Sequence, residues 1–229
     1  VFSMLEDYKE LEKNIKIAKH DQTKISIGYS TITDLNQFIE IQKLVPKKDN
    51  IHYDLQFLSL NELTVKLENG EIDLAIGFDS EFQGSHIDNV DLYEGEYNAV
   101  IGENHDLFSE DEININILYD HPLIMLKPEV IGKSYYSMLE RAKMNNHQPN
   151  IDRIVEDINN ELFYIYSDNL IGFFPDNYPM NFAMSNCKSI PIKDNYHKFK
   201  IQIGINSNNQ KARKRLFFNK IKKVYDKKL

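Results

Sequence analysis

The chain has 229 residues, 41% hydrophobic and 27% charged, with a net charge of −8. These are the values of an ordinary folded, soluble protein of one large or two small domains, and no apolar run approaches the ~20 residues a membrane helix needs. One cysteine, Cys187, cannot staple the chain internally and fits a reducing compartment, so a cytoplasmic protein is expected.

Residues 1–22 open the chain with Phe2, Leu5, Tyr8, Leu11, Ile15 and Ala18 at steps of three or four. That spacing predicts a charged amphipathic helix, not a secretory signal, with a narrow seam covered either by the body of the protein or by a second copy. Ile25 to Tyr29 alternates as a short strand. A helix carrying Leu35, Phe38, Ile39 and Ile41 follows, capped by a hydroxyl of the Ser30–Thr33 run or by Asp34. Pro46 and Asp49-Asn50 punctuate. Phe57 and the alternating residues around it read as a strand, Leu60, Leu63 and Leu67 mark a helix stopped at Asn69-Gly70, and Ile72 to Gly77 reads as a strand buried on both faces. A strand, a helix and a buried strand in so short a span make a βαβ unit, whose ligand site belongs at the carboxyl ends of its strands.

A polar loop is expected over Asp79 to Asn89, then a long strand from Val90 to Gly102 that can pass between two lobes. Pro122 to Leu126 is an apolar strand, and Ser134 is the expected N-cap of a helix bearing Tyr135, Met138, Leu139 and Ala142. Pro149 to Val155, Leu170 to Pro175, Ser189 to Ile192 and His197 to Ile205 read as strands. Asp157 caps a helix with Ile158, Leu162, Phe163 and Ile165. Residues 211–228 carry nine Lys or Arg against Asp226, which leaves the rest with 18 basic and 34 acidic residues. An acidic body repels phosphate, and the basic segment, with Ala212, Leu216, Phe217, Ile221 and Val224 at helical spacing, reads as a terminal helix with a solvated lysine face.

Catalytic patterns are missing. The seven histidines show no metal-ligand spacing, and there is no G-x-S-x-G elbow, P-loop or G-x-G-x-x-G run, so neither an enzyme nor a cofactor or metal site is expected.

The order of the pieces resembles the effector-binding (regulatory) domain of LysR-type transcriptional regulators. The likeness rests on Ile25-Ser-Ile-Gly-Tyr-Ser30, on Leu67-Glu-Asn-Gly-Glu-Ile-Asp-Leu-Ala-Ile76 and on Tyr97-Asn-Ala-Val-Ile-Gly-Glu-Asn-His-Asp-Leu107. It extends to Asp120-His-Pro-Leu-Ile124, Pro149-Asn-Ile151 and Gly172-Phe-Phe-Pro175. The resemblance implies an α/β fold of two Rossmann-like lobes, of the type-2 periplasmic-binding-protein kind, joined by two crossing strands. Residues 1–22 would be the linker and dimerisation helix, 23–98 plus 199–229 the first lobe, and 99–198 the second. It implies a homodimer within a tetrameric parent protein, and DNA contact through an N-terminal winged helix-turn-helix that this sequence does not contain. A solute-binding protein of a transport system, built on the same two lobes, is the alternative.

The partner so implied is a small-molecule effector, an organic acid or amino acid, in the cleft between the lobes. Ser30, Thr31 and Thr33 would meet it at a helix N-terminus, where hydroxyls and free N–H groups suit an anion. Ser59, Phe78 and Asp79 end neighbouring strands on the same edge, with none of the cations that carboxylate-binding members keep there. From the second lobe Lys127 could supply the missing positive charge, and Phe173 (or Phe174, since a strand alternates its faces) and Pro175 would form the opposite wall.

Overall fold

The structure, a computed structural model, describes residues 23–44, 51–84, 86–180, 186–209 and 211–227. The expected leading helix and the punctuation at 46–50 lie outside the described residues.

β1 (Thr23–Tyr29) pairs in parallel with β2 (Ile51–Phe57) on one side and β3 (Leu74–Phe78) on the other. Its Ile25 and Ile27 are fully buried with Phe38 and Ile41 of α1 (Ile32–Leu44), while Ile39 turns to solvent. On the opposite face α2 (Leu60–Glu68) buries Leu60, Leu63 and Leu67 with Ile72 and Ala75. Ser59 and Glu62 close a reciprocal capping box at its start, and Gly70, at φ +72°, takes the left-handed turn that ends it. All five residues of β3 are buried, as a strand covered by helices on both faces requires.

The expected polar loop after β3 opens instead with a helical turn, α3 (Asp79–Phe82). Phe82 is its apolar anchor, packed with Leu63 and Leu67, and Glu81 is buried beside it.

β4 (Ile87–Gly102) is 16 residues long, about 50 Å of extended chain. Its first part pairs antiparallel with β11 (Lys198–Asn206), which also flanks β3, so the first sheet runs β2-β1-β3-β11-β4. Its last part, from Tyr97, lies between β8 (Gly172–Pro175) and β9 (Cys187–Ile190), both antiparallel to it. A parallel bridge from Ile171 to Leu123 brings in β6 (Leu123–Leu126), and β7 (Ile151–Val155) runs parallel to β6. β5 (Ile113–Asn114) and β10 (Ile192–Lys193) form a short ladder beyond. One long strand therefore belongs to two sheets, and the cleft lies where it crosses.

The second sheet carries α4 (Ile115–Tyr119), α5 (Pro128–Ile131), α6 (Lys133–Met144) and α7 (Ile158–Ser167). α7 presses against β4 so closely that a Cβ on Gly102 would stand 2.9 Å from the Tyr166 Cα. Backbone cannot step aside as a side-chain tip can. Gly102→Ala is expected to cost about 1–3 kcal/mol in a chemical denaturation curve, and an unchanged midpoint would refute the contact.

α8 (Ala212–Tyr225) buries Phe217 and Ile221 of the expected stripe and packs Val224 against the same core, but Phe218 and Tyr225 are buried with them and Leu216 is exposed. Nor is its basic face wholly solvated. Lys214 pairs with the buried Asp73, which also accepts the Ser26 N–H and hydroxyl, each at 2.9 Å, and Arg215 pairs with Asp88. Burial would raise the Asp73 carboxyl, yet Lys214 and Ser26 together hold it below the usual range.

Candidate functional site

β1 and β3 end at a cavity of about 80 Å³ between the two sheets, which has room for roughly half a dozen water-sized groups. Thr31 and Thr33 at the start of α1 and Phe78 at the end of β3 form one wall, and Tyr97 stands at the crossover. The facing wall is mostly apolar: Leu126 of β6, Ile131, Met138 of α6, and Phe173 to Pro175 of β8. Ser134, Glu161 and Tyr178 are the polar side chains set among them.

The hydroxyls of Ser30, Thr31 and Thr33 are already engaged within the chain. Asp34 is completely buried, and its Oδ2 accepts the Ser30 N–H (3.0 Å), the Ser30 hydroxyl (2.8 Å) and the Thr31 N–H (2.8 Å). The chain's own carboxylate thus takes up the N–H groups of Ser30 and Thr31 just ahead of α1. Thr31 Oγ1 meets Thr33 Oγ1 at 2.6 Å and accepts the Asp34 N–H. Burial outweighs these bonds and pushes the Asp34 carboxyl up to about 6, and its Oδ1 has no partner among the described residues.

The start of α6 is treated alike. The helix begins at Lys133, one residue before the expected cap, and Glu81 from α3 accepts the Lys133 N–H at 2.8 Å. Ser134 consequently does not cap. Its hydroxyl meets Ser80 at 3.0 Å, a second hydrogen bond between the two sheets' loops. Burial raises the Glu81 carboxyl against the pull of Lys133 and Ser80, and burial drives the Tyr97 phenol far up against a hydrogen bond with Ser134. At α7 Asp157 is the expected cap, accepting the N–H groups of Asn159 and Asn160.

Of the residues singled out in the sequence, Thr31, Thr33, Phe78, Phe173 and Pro175 line this one cavity, and Phe174 lines it as well. Ser30 is committed to Asp34. Ser59 caps α2, away from the cavity walls. Asp79 accepts the Lys200 N–H at 3.2 Å. Lys127 is an exposed partner of Glu156, which raises its ammonium pKa. The wall residues that sequence reasoning passed over are Tyr97, Met138, Tyr178 and above all Glu161. The signal for Glu161 was present: it lies three residues after Ile158 and four before Ile165, on the apolar stripe of α7.

Away from the cleft, His105, Asp106 and His121 place ligand atoms within 4.8 Å of one another, a grouping that sequence spacing does not reveal. The His105 Nδ1 already accepts the Leu107 N–H at 3.1 Å, which leaves the other ring nitrogen.

The family model described as the LysR substrate binding domain matches residues 25–223. The chain belongs to this family. It is the effector-binding domain of a LysR-type transcriptional regulator, as the sequence resemblance implied. The effector-binding domain of QuiR, solved with shikimate, is similar at a TM-score of 0.73 and 20% identity, over 90% of this chain and 99% of that one. Full-length CbnR in complex with its target DNA gives a TM-score of 0.75 at 14% identity, over 97% of this chain and 76% of its own. HinK, a LysR family regulator from Pseudomonas aeruginosa, gives 0.73 at 14%, over 99% and 78%. At these identities the likeness establishes a shared fold. No curated protein matches the sequence significantly. Among the described residues no helix is long and apolar enough to cross a membrane.

Proposed function

We propose that this domain binds a small metabolite in the cavity between its two sheets and passes the signal on by rearranging an oligomer of a DNA-binding regulator. The observation that carries the reading is the cavity's make-up: Thr31, Thr33 and Phe78 come from one sheet and its helices, and Leu126, Ile158 and Phe173 from the other. A ligand touching both walls has different affinity for two arrangements of the sheets, which is the thermodynamic requirement for a switch. QuiR's effector-binding domain with shikimate and CbnR with DNA are related cases in which a domain of this fold holds a small molecule or belongs to a DNA-bound protein.

The assembly proposed is a homodimer within a tetramer, with residues 1–22 as linker helix, 23–98 plus 199–229 as one lobe and 99–198 as the other. Exposed Leu55 and Phe57 (71% accessible) on the edge strand β2, and Ile154 on the edge strand β7, support side-by-side pairing, because edge strands with apolar faces invite a partner. DNA contact would come through another part of the parent protein, and action on DNA would place it in the cytoplasm.

The test is a thermal-shift screen of metabolites against the parent chain and Ile131→Trp, which fills the cavity from its half-buried rim. A true effector raises the parent's melting temperature by several degrees at a concentration 100 times its Kd, equivalent to about 2.7 kcal/mol, and leaves the variant's unchanged. Equal shifts in both chains would refute the site.

A further inference from the structure

Resting on the reading of this cavity as the effector site, we propose that Glu161 is the effector's polar anchor and that the effector is a small amine, an ammonium group on an apolar body.

Glu161 lies in the first turn of α7 and lines the cavity, yet only 3% of it is accessible. Among the described residues it has no hydrogen-bond or ion-pair partner. A buried acid with nothing to bind is exceptional, since such groups are otherwise paired or hydrogen-bonded. Burial alone drives its carboxyl well above the ordinary range, which states the same deficit electrostatically. An ammonium group placed against it supplies both the counter-charge and the missing donor.

The remaining walls argue against an anion. No lysine or arginine lines the cavity among the described residues, and Lys127 is engaged outside it with Glu156. Three helices present their first turns here, and each already carries a carboxylate of the chain: Asp34 at α1, Glu81 at α6 and Asp157 at α7. An organic acid, which the sequence suggested, would meet the Glu161 carboxyl on the wall and no lysine or arginine to offset it. A cation meets Glu161 and the aromatic walls, where Tyr97, Phe173 and Phe174 suit an ammonium headgroup and its hydrocarbon body.

The experiment titrates the parent chain calorimetrically with a series of primary amines from methylamine to phenethylamine, and with the matched alcohols and carboxylates. The best amine is expected to bind at least about tenfold more tightly than its alcohol, with its carboxylate weaker than both. In Glu161→Gln that advantage disappears and the amine binds like the alcohol. The variant should melt at or above the parent temperature, because it removes a buried acid with no partner among the described residues. Glu161→Met offers the same comparison should the amide fold poorly. The amine proposal is overturned if a carboxylate binds best, if no amine binds, or if neither Glu161 variant weakens the amine. The cavity reading is scored separately. Any ligand of any charge that Ile131→Trp excludes preserves it, so an acid excluded by that variant would sink the amine and leave the site standing.

Discussion

Between about pH 4 and pH 7.5, Asp34→Asn is expected to gain roughly 2–3 kcal/mol of stability relative to the parent chain. Burial raises the folded-state carboxyl from 3.8 to about 6. A raised acid contributes stability that is fully present below its unfolded pKa and is lost as the pH climbs through the folded one. The parent therefore loses that increment across this window, while the amide does not titrate. The variant starts from a lower base, since one amide oxygen can take over the bonds of Oδ2 but the amide N–H groups replace the unpartnered Oδ1 in a buried spot with no acceptor among the described residues. The difference between paired urea curves isolates the titration, because every other group is common to both chains. A constant difference across the range would show that Asp34 is not buried as described.

His197 should do the opposite. Its imidazole is fully buried, with Nε2 2.6 Å from the Tyr119 hydroxyl and Nδ1 without a partner among the described residues. Burial, reinforced by Arg141 and His147, lowers its pKa from 6.5 to about 3. The neutral ring's contribution is complete above pH 6.5 and is lost as the pH falls toward 3. Between about pH 7.5 and pH 4 that loss is roughly 3 kcal/mol. His197→Gln is expected to be less stable than the parent at the upper end and to close most of the gap at the lower end. Parallel curves would mean that the ring is reached by water or an acid. The two titrations oppose each other over the same window, so the parent's own pH profile is flatter than either variant comparison.

Features whose cause lies within a few residues were legible in the sequence. The Leu60, Leu63 and Leu67 stripe, the glycine stop at Gly70, the buried run before Gly77 and the Asp157 cap all follow from local periodicity or local hydrogen bonds. What was hidden depends on distant partners. Phe82 turned an expected loop into α3 because Leu63 and Leu67 were waiting for it. The face of α8 was legible at Phe217, Ile221 and Val224, but Phe218 and Tyr225 in place of Leu216 were not, and neither were the Asp73 and Asp88 partners that draw Lys214 and Arg215 inward. At the site, the position of Thr31, Thr33 and Phe78 followed from sheet topology, but the occupant of the helix end did not. Asp34 could be read as one possible cap, and only its hydrogen bonds show that it takes the Ser30 and Thr31 donors for itself. Glu161 was passed over in the sequence, and its place among Ile158, Leu162 and Ile165 gains its meaning from α7 facing the cleft.

The route of the chain through its two sheets also has a consequence on the ribosome. β3 is finished early, but its other neighbour, β11, follows only after roughly 120 further residues, which takes on the order of ten seconds of synthesis. Throughout that interval the nascent first sheet exposes the edge of its most apolar strand, a ready template for pairing with another chain. The second sheet has β6, β7 and β8 contiguous in sequence and can assemble on the latter part of β4 first. The usual N-terminal-first order is thereby reversed, and a holdase chaperone should be most needed between the emergence of β3 and that of β11.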